Sequence, residues 1–137
     1  MRKVAEGWLE RADAAIEAAR RDLDAGAGEL AADRAYYTMF YAVRAVLSTR
    51  GLDYSSHGAT HAGFGREFAK TGELDPKYHR WLIDAFDERQ KAIYGLHAEV
   101  PVERAQELIE QAEEFLTAAR SYCEAHPQGY PESDEQT

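Results

Sequence analysis

The sequence predicts an all-α fold, an antiparallel bundle of helices in one domain. Three observations predict it. Apolar residues recur at steps of three and four through several long segments, and no stretch alternates as a strand does. The composition is rich in Ala, Glu, Arg and Leu, with only 4 prolines in 137 residues. The breaks between periodic segments are short, which makes successive helices antiparallel neighbours. A chain of this length buries a sizeable core without disulfides or metals.

The first helix is predicted from Val4 to Asp24, with Val4, Trp8, Ala12, Ile16, Ala19 and Leu23 as its apolar stripe, and "AGAG" at 25–28 breaks it. The second runs from Leu30 to Arg50. Tyr36, Phe40, Val43 and Leu47 form its apolar stripe, with a wetter stripe of Tyr37, Tyr41, Arg44 and Ser48 beside it. Gly51 is placed to end it in a left-handed conformation. Residues 52–72 read as a loop and a short, glycine-containing helix, capped by Ser55 or Ser56. The fourth helix is announced by Asp75 as cap and Pro76 at its first position, and runs to Ile93, before Gly95. The fifth starts near Pro101 and carries Val102, Ala105, Leu108, Ile109, Ala112, Phe115, Leu116 and Ala119. Residues 1–125 form the expected helical domain, and 126–137 an acidic tail expected to be disordered.

Charge and cysteine usage narrow the function. The net charge of −9 is uneven: residues 1–56 carry 8 basic and 9 acidic side chains, 57–98 carry 6 and 6, and 99–137 carry 2 and 10. Such a chain is a poor non-specific nucleic-acid binder, so any RNA contact needs a local cationic patch. The single cysteine, Cys123, allows no internal disulfide and fits a reducing, cytoplasmic location. It sits on the acidic last helix, where a thiolate nucleophile is disfavoured. The most apolar stretch, "AYYTMFYAVRAVL", is too short to span a bilayer, and Arg44 interrupts it. No dinucleotide, Walker, nucleophile-elbow or kinase motif is present.

The segment "DERQKAIYGLH" at 87–97 holds the most informative residue. Tyr78, Leu82, Phe86, Arg89 and Ile93 share one helical face, so Arg89 stands on a stripe otherwise apolar. An arginine there needs a carboxylate, a phosphate, carbonyl groups or water. The partners offered by the chain itself are Asp33 and the helix-two tyrosines. A bare structural role, snorkelling or favouring the helix C-terminus, competes with a functional one. Tyr94 and His97 follow where the helix ends. "HGATH" sets His57 and His61 four apart, a spacing that can supply two metal ligands. No third ligand accompanies them, so no metal site is assigned, and capping or an exposed polar face is expected.

Three segments in this order, "ADRAYYTMFYAVRAVLSTRGLDYSSH", "FGREFAKTGELD" and "FDERQKAIYG", resemble the HEPN domain, in particular its small stand-alone prokaryotic branch. The resemblance covers roughly residues 4–120. It implies an up-and-down bundle of four main helices plus one short helix, and a homodimer with the motif near the two-fold. It also implies RNA as a partner, because many HEPN proteins are metal-independent ribonucleases without cofactors. Their motif is an arginine, a short spacer opening on a polar residue, and a histidine. Some are toxins paired with a minimal nucleotidyltransferase antitoxin that can modify a nearby tyrosine. Arg89 matches the arginine and Gln90 the polar residue. The position of the histidine is held by Tyr94, after four intervening residues, and His97 comes after seven. The resemblance therefore implies an RNA- or nucleotide-binding HEPN protein with a degenerate motif. The alternatives are an active endoribonuclease and a purely structural dimerisation module. Arg89, Tyr94 and His97 are the candidate catalytic residues, with Gln90, Lys91 and Arg66 as binding residues.

Overall fold

The computed structural model describes residues 2–93 and 99–127. Helix α1 spans Arg2–Asp24, α2 Gly28–Ser48, α3 His57–Phe64, α4 Pro76–Ile93 and α5 Val102–Ala125. A π-helical turn, Gly65–Ala69, continues α3. Among the described residues there is no strand.

Local chemistry sets the ends. Ser56 caps α3, its hydroxyl accepting from the Ala59 amide at 3.0 Å. Asp75 caps α4, one carboxylate oxygen accepting from the Lys77 amide at 3.0 Å, with Pro76 in the first turn. Gly51 takes φ of +70°, which lets the Leu52 amide reach back to the Leu47 carbonyl at 3.1 Å and close α2. Helix α2 starts two residues earlier than periodicity predicts and ends two earlier. Its first bond runs from the Ala31 amide to the Ala27 carbonyl, and backbone bonds rather than apolar spacing fix such bounds.

Paired side chains set the directions. Asp13 and Arg20 of α1 meet Arg120 and Glu113 of α5, respectively. Trp8 and Asp22 of α1 meet Tyr41 and Arg34 of α2. Asp33 and Tyr36 of α2 meet Arg89 and Phe86 of α4. Tyr78 and Glu88 of α4 meet Glu114 and Arg104 of α5. In every pair the numbers rise on one helix as they fall on the other. The four long helices therefore run up and down, and α3 with its π turn packs across α2 and α4.

Helix α2 is the core of the bundle. Ala31, Ala35, Ala42 and Ala45 are fully buried and let neighbouring helices approach closely. Tyr36, Met39, Val43 and Val46 fill the space between them, joined by Phe64, Phe68, Leu82 and Phe115. Three sequence expectations are corrected here. The buried stripe of α1 is Ala5, Leu9, Ala12, Ile16 and Ala19, whereas Val4 is 49% exposed and Trp8 is half-buried. Val4 and Trp8 each precede a core residue by one position, which turns them about 100° off the stripe. Val102 is exposed at the start of α5. Ser48, expected on the wetter stripe, is buried, because its hydroxyl donates to the Ala45 carbonyl at 2.6 Å and needs no water.

Removing the α3 cap by Ser56→Ala is expected to cost about 1 kcal/mol, whereas Ser56→Gly costs a few tenths. Thermal denaturation checks this. An unchanged melting temperature in Ser56→Ala would remove the capping role.

Candidate functional site

Arg89 lies in the penultimate turn of α4, and its stripe places it against α2. Asp33 and Tyr37 are four apart on α2 and so present one face to it. The Arg89 Nε donates to Asp33 Oδ1 at 2.7 Å, and Nη2 donates to the Tyr37 hydroxyl at 3.0 Å. Nη1 reaches Gln90 Oε1 at 3.4 Å. The guanidinium lies 5.0 Å from the Tyr37 ring centroid and 5.6 Å from that of Tyr36, within cation–π range. It is held but not sealed: the Arg89 side chain is 18% exposed and that of Asp33 41%. The neighbouring residue fastens the helix on its other side, because Glu88 accepts from Nε of Arg104 of α5 at 2.9 and 3.0 Å and from its Nη2 at 2.6 Å.

A second polar cluster adjoins the first. The Tyr36 hydroxyl lies 2.6 Å from His57 Nδ1 and 2.8 Å from His61 Nε2. The His57 ring stacks on Phe40 at 4.4 Å and 12°, and lies 5.7 and 5.8 Å from the Tyr36 and Tyr37 rings. His61 is buried edge-on to Phe86. This corrects the expectation of a capping or exposed polar face for the "HGATH" histidines. His57, His61, Phe64 and Phe68 fall on one stripe, so the two histidines extend an apolar face that packs onto α2 and α4. Burial pushes the His61 pKa down to about 4, with the neighbouring His57 and His79 acting in the same direction. Burial, then Arg89 and Arg44, lower that of His57. Burial, then Tyr37, raise that of Tyr36. Both imidazoles are therefore neutral at pH 7, and the phenol keeps its proton.

Beside Asp33 and Tyr37 opens a cavity of about 370 Å³ between α1 and α2, lined also by Arg11, Arg34 and Tyr41. Its two arginines come from outside the predicted set. Arg34 pairs with Asp22 at 2.7 Å, and Arg11 lies over the Trp8 ring.

The sequence-derived residues do not all converge. Gln90 touches Arg89, and Lys91 is exposed on α4. Arg66 lies elsewhere: with Lys70, His79 and Arg80 it lines an open groove between the π turn and the first half of α4. Arg80 and Arg89 are nine residues apart on that helix, roughly 14 Å along its axis. Lys77 is drawn towards α5 by Glu114 at 2.7 Å. Tyr94 and His97 lie outside the described residues, as do the residues of the acidic tail from 128 onward. Cys123 is buried and its thiol is pushed up to about 11, chiefly by burial. Among the described residues no three His, Cys, Asp or Glu side chains are grouped to hold a metal ion, and no helix is long and apolar enough to cross a membrane.

An up-and-down bundle with a half-buried arginine of α4 held by an aspartate and a tyrosine of α2 defines a class, and comparison with known proteins says which one. The HEPN domain model matches residues 5–122. A UPF0332 protein of Thermotoga maritima is 34% identical over 122 residues, covering 89% of this chain and 92% of that protein. A protein of Methanocaldococcus jannaschii named "Putative toxin MJ0142" is 32% identical over 117 residues, covering 85% and 80%. A UPF0332 protein of Gloeobacter violaceus is 35% identical over 115 residues, covering 83% and 91%. The chain belongs to the HEPN domain family.

Proposed function

We propose that this HEPN protein is the RNA- or nucleotide-binding component of a toxin–antitoxin-type pair, working as a cytoplasmic homodimer with a minimal nucleotidyltransferase partner. Arg89 is its phosphate-binding group. The observation that carries this reading is the partly exposed Arg89 side chain, its guanidinium fixed in orientation by Asp33 and Tyr37 with aromatic rings beside it. Preorganised arginine favours phosphate, and the neighbouring Tyr37 and Tyr41 faces suit an unstacked base. Two relatives named as putative toxins support the toxin side of the pair. The homodimer and the nucleotidyltransferase rest on the family resemblance alone.

The test is binding of short labelled RNAs and mononucleotides in EDTA by the wild type and by Arg89→Ala. Binding by the wild type alone is the expected result. Failure to bind any RNA or nucleotide would sink the reading. A second reading, a metal-independent endoribonuclease, is favoured by the imidazole pair beside Arg89. Cleavage products in EDTA distinguish it from binding alone.

A further inference from the structure

We infer that His57, outside the arginine motif, is the proton-transfer residue of the Arg89 site, with Tyr36 and His61 as the residues that orient it. This rests on the ribonuclease reading and names the group that reading lacks.

The argument starts from one proton. The Tyr36 hydroxyl contacts His57 Nδ1 and His61 Nε2 but carries a single hydrogen. It donates to one histidine and accepts from the other, so the two tautomers are coupled. When Tyr36 donates to His61, His57 donates through Nδ1 and its Nε2 is left bare. When Tyr36 donates to His57, His57 Nε2 carries the hydrogen. The chain of three thus moves His57 Nε2 between proton acceptor and proton donor. His61 is 5% exposed and cannot reach a substrate, whereas His57 is only half-buried. No described residue bonds its Nε2.

Position makes this useful. His57 and Arg89 both flank the Tyr36 and Tyr37 rings, and Phe86, one turn before Arg89, lies 6.0 Å from the His57 ring. The charged and titratable groups facing His57 are Tyr36, Tyr37 and Arg44 of α2, His61 of its own helix and Arg89 of α4. Among the described residues no carboxylate faces it. Asp53 is taken by Arg44 and Asp33 by Arg89. His57 is therefore kept neutral and able to accept a proton at pH 7.

With a phosphodiester on Arg89, the step balances without a metal or redox partner. The 2′-oxygen of RNA attacks phosphorus as its proton passes to His57 Nε2. The bond from phosphorus to the 5′-oxygen breaks, and that oxygen takes a proton from the imidazolium. The products are a 2′,3′-cyclic phosphate and a 5′-hydroxyl.

The experiment compares wild type, His57→Gln, Tyr36→Phe and Arg89→Ala in EDTA, using a labelled RNA and its all-2′-deoxy analogue. Thermal denaturation confirms that each variant is folded. The expected result is cleavage by the wild type to a cyclic phosphate, with an acid limb of kcat/KM below pH 6.5. His57→Gln should lose 10²-fold or more in kcat, on the order of a removed general base, while binding the deoxy analogue like the wild type. Tyr36→Phe keeps the ring but frees His57 from the chain. It should shift the acid limb, which a merely structural role would leave in place. Binding without cleavage by the wild type, cleavage by His57→Gln at the wild-type rate, or a rate with no acid limb anywhere below pH 6.5 where the fold persists would each overturn the role of His57 and leave the Arg89 binding site standing. No binding and no cleavage would overturn both. Should His57→Gln fail to fold, the wild-type pH profile and Tyr36→Phe still decide.

Discussion

Replacing Arg89 by alanine is expected to abolish phosphate-dependent binding while destabilising the fold by only about 1–2 kcal/mol. The stability term is small for a definite reason. Arg89 is mostly covered, but its partner Asp33 is 41% exposed, so water can take over the carboxylate once the arginine is gone. What the fold loses is the aliphatic stem and the guanidinium over the Tyr36 and Tyr37 rings. Arg89→Lys should keep most of the stability and still bind poorly. An ammonium cannot hold Asp33 and Tyr37 in one planar fork while offering further donors to a phosphate. Urea denaturation and binding to a labelled RNA, run on the same three proteins, separate the two effects. A structural arginine would show the reverse pattern: a large loss of stability or of dimer, and no binding to lose. Full RNA binding by Arg89→Ala would remove the arginine from the site altogether.

How far this site was legible from sequence depends on which contacts are local. The position of Arg89 was legible because a helix repeats. Tyr78, Leu82, Phe86 and Arg89 step round to one face, so the arginine had to point inward and meet a polar partner. Asp33 and the tyrosines of the second helix are the partners the sequence offers, and the structure pairs Arg89 with Asp33 and, among the tyrosines, Tyr37. The burial of the histidines is not legible in the sequence, because it depends on how α3 docks, which the loop after Gly51 decides. Their i, i+4 spacing also suits metal binding, yet its continuation through Phe64 and Phe68 carries the signal that this face is internal. The separation of Arg66 from Arg89 was illegible for the same reason. Composition counts charges in residues 57–98, whereas the direction of α3 sends Arg66 and Lys70 to a groove at the other half of α4. Close approaches were also hidden. Gly28 lies so near the Val100 carbonyl that a side chain there would collide with backbone, and nothing in the local sequence of either segment announces it.

Acidification from pH 7 to pH 4 is expected to destabilise the protein by up to about 3 kcal/mol through His61 alone. The unfolded chain protonates this histidine near pH 6.5, and the folded chain only near pH 4. Between those values the unfolded state holds more protons, so stability falls as the pH drops and levels off below pH 4. His57, shifted in the same direction, adds to the effect. The physical cause lies in the packing. A charged His61 would be buried against Phe86 and beside His57, and among the described residues only the Tyr36 hydroxyl receives a side-chain hydrogen bond from it. Carboxylates act elsewhere on the pH scale. Glu114, held low chiefly by its bond to Lys77, loses its contribution only below about pH 4.5, and its exposure keeps that contribution small. Urea midpoints measured at about pH 7.5, 6.5, 6 and 5.5 should already fall, in the window where carboxylates are still largely ionised. His61→Gln keeps a hydrogen-bonding group for Tyr36 but cannot titrate, and its midpoint should decline much less over the same range. Equal declines in the two proteins would place the acid sensitivity outside His61. A flat wild-type profile would overturn the prediction, because His61 would then take its proton in the folded state as readily as in the unfolded one despite its burial against Phe86.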